Sequence, residues 1–295
     1  MNETDIQRWA IGLKRMLNTK HFLHRVQNKI WRLYNHKLPE FLSSIQFLWL
    51  LHIGSKPMKV NQKSAMIIAP HQDDEVLGCG GLIRLKREQN VPVQIVFVTD
   101  GAASHGKHPK FQSGEIVPIR KQEALCALSI LGIDKSQIYF LDKPDSQLQY
   151  LDASKRQQTI EQLAQLLKSF QPGEVYVTHC QDRIKDHEVT YELLLAAIQY
   201  SEIEVDVLQY PIWILWKSLL FRDLKLSELA SAHRISIHSV QSKKMEALEA
   251  YRSQCLPIDA ETAAVLKPGF LWRFLVPYEI FFKPTSILSN QYFNR

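Results

Sequence analysis

Between Asp5 and Glu40 this 295-residue chain has no acidic side chain, and its whole length holds only four cysteines. Those four, Cys79, Cys126, Cys180 and Cys255, are scattered and form no CxxC pair. That usage excludes a disulfide scaffold and suits a reducing compartment, so a cytoplasmic location is expected. The first 30 residues lack the apolar core of a secretory leader. The longest early apolar stretch, Phe47 to Leu51 with Ile53, is too short to cross a bilayer. There is no internal repeat and no low-complexity linker. Apolar residues make up 45% and charged residues 22%, enough for one substantial core with a small appendage.

Charge is unevenly placed. Residues 1–60 hold ten Lys or Arg against three acids, and the remaining residues hold 26 against 27. The excess of +6 therefore belongs to an N-terminal extension, taken as residues 1–60, ahead of a domain spanning 61–295. Phe22, Leu23, Val26, Ile30 and Leu33 recur at helical spacing among the basic residues. Such a helix suits an anionic membrane surface or a docking partner, or it packs on the domain with its basic face in water. The near-neutral remainder offers little to a polyanion, so no nucleic-acid partner is expected.

From Ser64 onward short apolar runs alternate with helical segments. Strands are predicted at 65–69, 91–99, 137–141, 174–178, 205–210 and 234–238, and helices at 79–89, 118–131, 153–170, 188–200 and 239–253. This alternation predicts an α/β, Rossmann-like three-layer fold with a mostly parallel sheet. Ligands of such sheets sit beyond the carboxyl ends of the strands, where His71, Asp100, Asp142 and His179 fall.

The densest chemistry is Pro70-His71-Gln72-Asp73-Asp74-Glu75, which closes the first strand and opens onto Gly78-Cys79-Gly80-Gly81. A His three residues before an Asp can give one ion a nitrogen and an oxygen, which leaves the neighbouring Asp as a base. Asp186-His187, following another apolar run, offers a third ligand. Two His, one carboxylate and an open position form the ligand set of hydrolytic zinc sites. The glycines do not match the dinucleotide fingerprint, and acids stand where a pyrophosphate would bind.

Together these segments resemble the PIG-L, or LmbE-like, family of zinc-dependent sugar N-deacetylases. The family's [AP]-H-x-D-D-E-x-x-G-x-G-G motif is matched from Pro70 to Gly81, and its D-H motif by Asp186-His187. Thr99-Asp100-Gly101, Arg120 with Glu123 and Ala124, Leu141 to Asp145, and Lys244 to Gln254 are similar as well, so the resemblance spans about 64–255. It implies that His71, Asp74 and His187 hold Zn2+ and that Asp73 is the general base. Arg120, Asp100 and His179 are then expected to contact an N-acetylated amino sugar, free, glycan-linked or lipid-linked, and Glu75 to support or cap the helix. The metal in the cell, zinc or iron, and the oligomeric state stay open.

One position departs from the pattern. Family members commonly carry a His three residues before the final His, to steady the oxyanion or assist the leaving group; here it is Ile184. His179, His105, His108, Lys185 or Arg120 are the available substitutes. Losing one oxyanion donor costs about 10²–10³ in rate, so a metal-retaining glycan-binding or regulatory protein without turnover is the alternative. Arg120 can instead pair with Glu123 at helical spacing. Trp213 and Trp216 either stack on a sugar or pack in the core, and His105 and His108 lie in a loop that can cover the site.

Overall fold

The structure is a computed structural model. It describes residues 38–106, 108–217, 224, 226–260 and 262–284. The basic helical pattern at 22–33 and Lys107 lie outside the described residues.

Eight strands form one sheet in the order β1-β7-β8-β6-β5-β2-β3-β4. They are β1 (Lys56–Pro57), β2 (Ala65–Ala69), β3 (Val93–Thr99), β4 (Ile138–Lys143), β5 (Glu174–Thr178), β6 (Asp206–Tyr210), β7 (Ala232–Ser236) and β8 (Tyr278–Phe282). All pairings are parallel except those of β8, which runs antiparallel to both β6 and β7. The apolar runs of β2 and β3 reflect burial on both faces. Ala65, Ile67 and Ala69 point into one core layer with Val93, Ile95 and Phe97, while Met66 and Ile68 point into the other with Val96 and Val98.

Helices cover both layers. On the first face lie α2 (Asp74–Glu88) and α3 (Ile116–Leu131), joined by a shorter helix, Gln241–Glu249. On the second lie α4 (Ala153–Phe170) and α5 (Lys185–Ser201), packed on each other. In α4 the Asp152 side chain accepts the Lys155 N–H, and Thr159, Leu163, Ala164 and Leu167 form the buried stripe. The first helix, α1 (Leu38–Trp49), packs on the short helix Ile214–Lys217, in a third apolar cluster that also holds Ile280 and Phe282 of β8. Residues 38–57, which the sequence reading placed in the extension, are thus part of the packed domain, with β1 pairing to β7.

The strand order reverses at β2, which has β3 on one side and β5 on the other. The crevice between the carboxyl ends of β2 and β5 is the switch point where open α/β sheets bind ligands. Close packing there accounts for two of the motif glycines. A Cβ on Gly78 would strike the Tyr210 ring, and one on Gly81 would strike Ile237. A buried ion pair further locks α2 in place. Lys244 Nζ lies 2.7 Å from Glu279 and donates to the Leu77 carbonyl, while the Glu279 carboxylate accepts the N–H groups of Gly81 and Leu82.

Candidate metal centre and active site

Pro70 ends β2, and its carbonyl accepts both the N–H and the hydroxyl of Thr99. That fixes the turn that carries His71. Helix α2 begins at Asp74, five residues before the predicted start, because the acids themselves form its first turn. Three donor atoms meet here. Asp74 Oδ2 lies 3.2 Å from His71 Nδ1 and 3.3 Å from His187 Nε2, and the two ring nitrogens are 3.3 Å apart. Only two donor segments are needed, the β2–α2 turn and the start of α5.

The outer side of each imidazole is tied to carboxylates. His187 Nδ1 lies 2.7 Å from Asp182 Oδ2. Asp182 also accepts the backbone N–H groups of Ile212, Trp213 and Ile214, and with both oxygens turned to donors it favours the His187 tautomer that carries its hydrogen on Nδ1. His71 Nε2 lies 3.1 Å from Asp145 and 3.3 Å from Asp186. Those two are held in turn by the N–H groups of Ala103, Ser146 and Leu148. Carboxylates behind ligating histidines fix ring orientation and raise basicity. Burial works against a charged His71, yet Asp145, Asp186 and Asp74 hold its pKa well above the ordinary imidazole value. The donor set fits a divalent cation: two imidazole nitrogens and one carboxylate oxygen converge within 4.8 Å of one another, each ring backed by an acid.

Asp73 stands beside this cluster and lines the same cleft. Its backbone is strained, with φ of 142° on a residue that has a Cβ, and its N–H is held by Glu75. Burial raises its pKa to about 7 against the pull of Arg120, whose Nη2 lies 3.3 Å away, and the Asp74 charge adds to the rise. Glu75 is buried beneath, hydrogen-bonded to the Tyr251 hydroxyl, and burial raises it to about 8.

The cleft over these groups holds about 190 Å3. One wall is apolar: Trp213 stacks on Phe270 at 4.6 Å, next to Ile212 and Leu266. Ile184 lines the cleft too, an aliphatic side chain at the position where the sequence resemblance led to the expectation of an imidazole. Of the five proposed substitutes, Arg120 lines the cleft and the other four do not. His108 pairs with Asp259 and Lys185 with Glu188, while His105 packs against Phe111. Ser104, Ser146 and Gln254 supply further polar lining.

Two expected substrate contacts lie elsewhere. Asp100 accepts the N–H groups of Ala102 and Asp145 and braces their loops outside the lining. His179 is fully buried against Phe282; burial lowers its pKa to about 4, and it groups with Cys180 and Glu228. Arg120 does not pair with Glu123. Its guanidinium is buried, donating to the carbonyls of Gln72 and Gly101, and Glu123 receives Ser253 instead. Trp213 serves both core and cleft, and Trp216 packs on Phe270. The sequence reading missed Asp182, whose only signal is an acid five residues before His187, and the contacts of Asp145 and Asp186 behind His71.

Residues 66–198 match the family model described as PIG-L, GlcNAc-PI de-N-acetylase. A relative in Bacillus subtilis, described as a probable N-acetyl-alpha-D-glucosaminyl L-malate deacetylase 2, is 28% identical over 200 residues, covering 65% of this chain and 84% of that protein. Among solved structures, N,N'-diacetylchitobiose deacetylase from Pyrococcus horikoshii superposes with a TM-score of 0.51 at 21% identity, covering 65% of this chain and 70% of that one. The 4-carboxy-2-hydroxymuconate hydratase GalB from Pseudomonas putida gives 0.51 at 22% identity, covering 72% and 82%. One fold thus serves a deacetylase and a hydratase, and the reaction has to be argued from the site.

Proposed function

With a PIG-L domain over residues 66–198 as premise, we propose that the chain is a zinc-dependent hydrolase that removes the acetyl group from an N-acetylated amino sugar. The observation that carries this reading is the convergence of His71, Asp74 and His187 at the base of the cleft that His71, Asp74 and Asp73 line, with Asp73 on a strained backbone beside them. Two nitrogens and one oxygen suit zinc better than hard cations that prefer all-oxygen shells. A divalent cation held there supplies Lewis acidity, polarising an amide carbonyl and lowering the pKa of water within its reach.

The chain's own residues do the rest. Asp73, aimed by Arg120, accepts a proton from the attacking water, whose oxygen joins the acetyl carbon. When the C–N bond breaks, Asp73 returns that proton to the departing amine, leaving acetate and a free amino sugar. A carboxyl whose pKa burial has raised toward neutrality can perform both transfers at physiological pH. The stacked Trp213 and Phe270 form an apolar shelf for one face of a sugar ring, and Ser104, Ser146 and Gln254 supply hydroxyl partners at its rim.

Ile184 on the cleft wall favours a second reading, a protein that retains metal and sugar without turnover. Acetate release from a panel of N-acetyl amino sugars by the zinc-loaded chain separates the two. Release that Asp73→Asn abolishes is expected; no release from any member, with the site fully loaded and a sugar bound, would favour the binder.

A further inference from the structure

Helix α1 has two apolar faces and uses only one. Ser43 and Phe47 form its buried face, which Leu50 continues in the turn that follows. Arg273 ties Ser43 and Ser44 with 3.0 Å hydrogen bonds, and Phe47 meets the Trp272 ring edge-on at 5.2 Å. The opposite face carries Phe41, Ile45 and Leu48 at one-turn spacing, with Leu42 beside them and Ile53 on the turn that follows. Among the described residues these are five of the ten exposed large apolar side chains; Phe41 is 62% and Ile53 74% exposed. A helix that only packs on its domain needs one apolar stripe. Charge gathers on the same segment of chain: residues 1–60 carry the whole positive excess, and Lys56 and Lys59 stand exposed just beyond Ile53.

We propose that this face docks on an anionic lipid surface, with Phe41, Ile45, Leu48 and Ile53 entering the acyl boundary and the exposed Lys56 and Lys59 resting on the headgroups. The complement it needs is apolar and negative at once, which an anionic bilayer interface supplies. A second copy fits poorly, because a two-fold contact would set Lys56 and Lys59 against their own copies. No helix among the described residues is long and apolar enough to cross a membrane. The docking concerns where the chain resides and stands whether or not the cleft hydrolyses an amide.

Vesicle co-sedimentation of the full chain tests it, using phosphatidylcholine vesicles with and without phosphatidylglycerol. The full chain should partition onto the anionic vesicles and be released by salt. The triple variant Phe41→Ser, Ile45→Ser, Leu48→Ser should bind about a hundredfold more weakly, from roughly tenfold or less per inserted side chain. The three positions face solvent, so unchanged thermal unfolding checks that the variant is folded. Lys56→Glu with Lys59→Glu, which alters charge alone, should weaken binding about tenfold. No partitioning of the full chain, equal binding to neutral vesicles, or undiminished binding by the triple variant overturns the proposal. So does a dimer in sedimentation velocity that the triple variant dissolves, which would give the face to a second copy.

Discussion

Asp182→Asn tests whether the surroundings of the proposed metal site, and not just its proposed ligands, make it work. Asp182 Oδ1 accepts Ile212 and Ile214 N–H, while Oδ2 accepts Trp213 N–H and His187 Nδ1–H. An asparagine has one acceptor oxygen. Placed at Oδ1, it keeps two backbone bonds and sets its NH2 against the Trp213 amide and the His187 ring. Turned the other way, it forfeits the Ile212 and Ile214 bonds. The first orientation is therefore preferred, and there His187 Nδ1 must become the acceptor. The ring proton then moves to Nε2, the nitrogen that faces His71 and Asp74. A protonated Nε2 cannot ligate. Metal affinity should fall about 10–100-fold, the usual effect of losing a carboxylate behind a ligating histidine. The lost Trp213 bond should cost the metal-free fold about 1–3 kcal/mol. Competition of metal-free protein with a chromophoric zinc chelator reads the first effect, and urea unfolding without metal reads the second. A destabilised variant with undiminished zinc affinity would refute the tautomer argument and leave Asp182 as a loop brace.

Four further outcomes follow from the same geometry. Asp73→Asn should keep its metal content by elemental analysis while kcat drops about 10²–10⁴-fold, the usual contribution of a positioned base; a matching loss of metal would make Asp73 a ligand. In the metal-free chain, burial raises Asp73 to about 7 and Glu75 to about 8, so both bind a proton more tightly folded than unfolded. Their contribution to stability should therefore be fully present below the ordinary carboxylate range and decline toward pH 8, by about 1.4 kcal/mol per pH unit for each carboxyl. Glu75→Gln, which still accepts the Asp73 N–H and donates to Tyr251, should flatten that decline in melts across pH. His71 is held protonated by Asp145, Asp186 and Asp74 despite its burial, so zinc binding near neutrality should release a proton, seen as calorimetric heats that vary with buffer ionisation enthalpy. Ile184→His restores a polar donor to the cleft wall and should raise kcat by up to about 10²-fold where such a donor limits the rate; an unchanged kcat would assign the role to Arg120 or to another group.

The parallel core was legible because its strands are continuous apolar runs and its helices carry clear stop signals, as at Gly132, which adopts a φ of +88°. The strand predicted at 234–238 is shifted in the structure to Ala232–Ser236, with His238 in the tight turn after it. The helix predicted at 239–253 breaks at Tyr251, whose ψ of 58° is not helical and whose hydroxyl reaches Glu75. Strand β8 was missed. Its antiparallel place between β6 and β7 is held by long-range contacts, Glu279 receiving Lys244 and the α2 amides, that no local pattern announces. The three proposed ligands were readable because their spacing is itself chemistry. For Arg120 the sequence left an ion pair with Glu123 and a substrate contact both open, since it does not reveal that the guanidinium is buried between Gln72, Gly101 and Asp73 at the cleft wall.

Equilibrium dialysis of the full chain against zinc, beside Asp74→Ala, tests the central claim most directly. One equivalent of zinc per chain, lost in the variant, is the predicted result. A native chain that takes up no zinc, or an Asp74→Ala variant that retains its full equivalent, would contradict it.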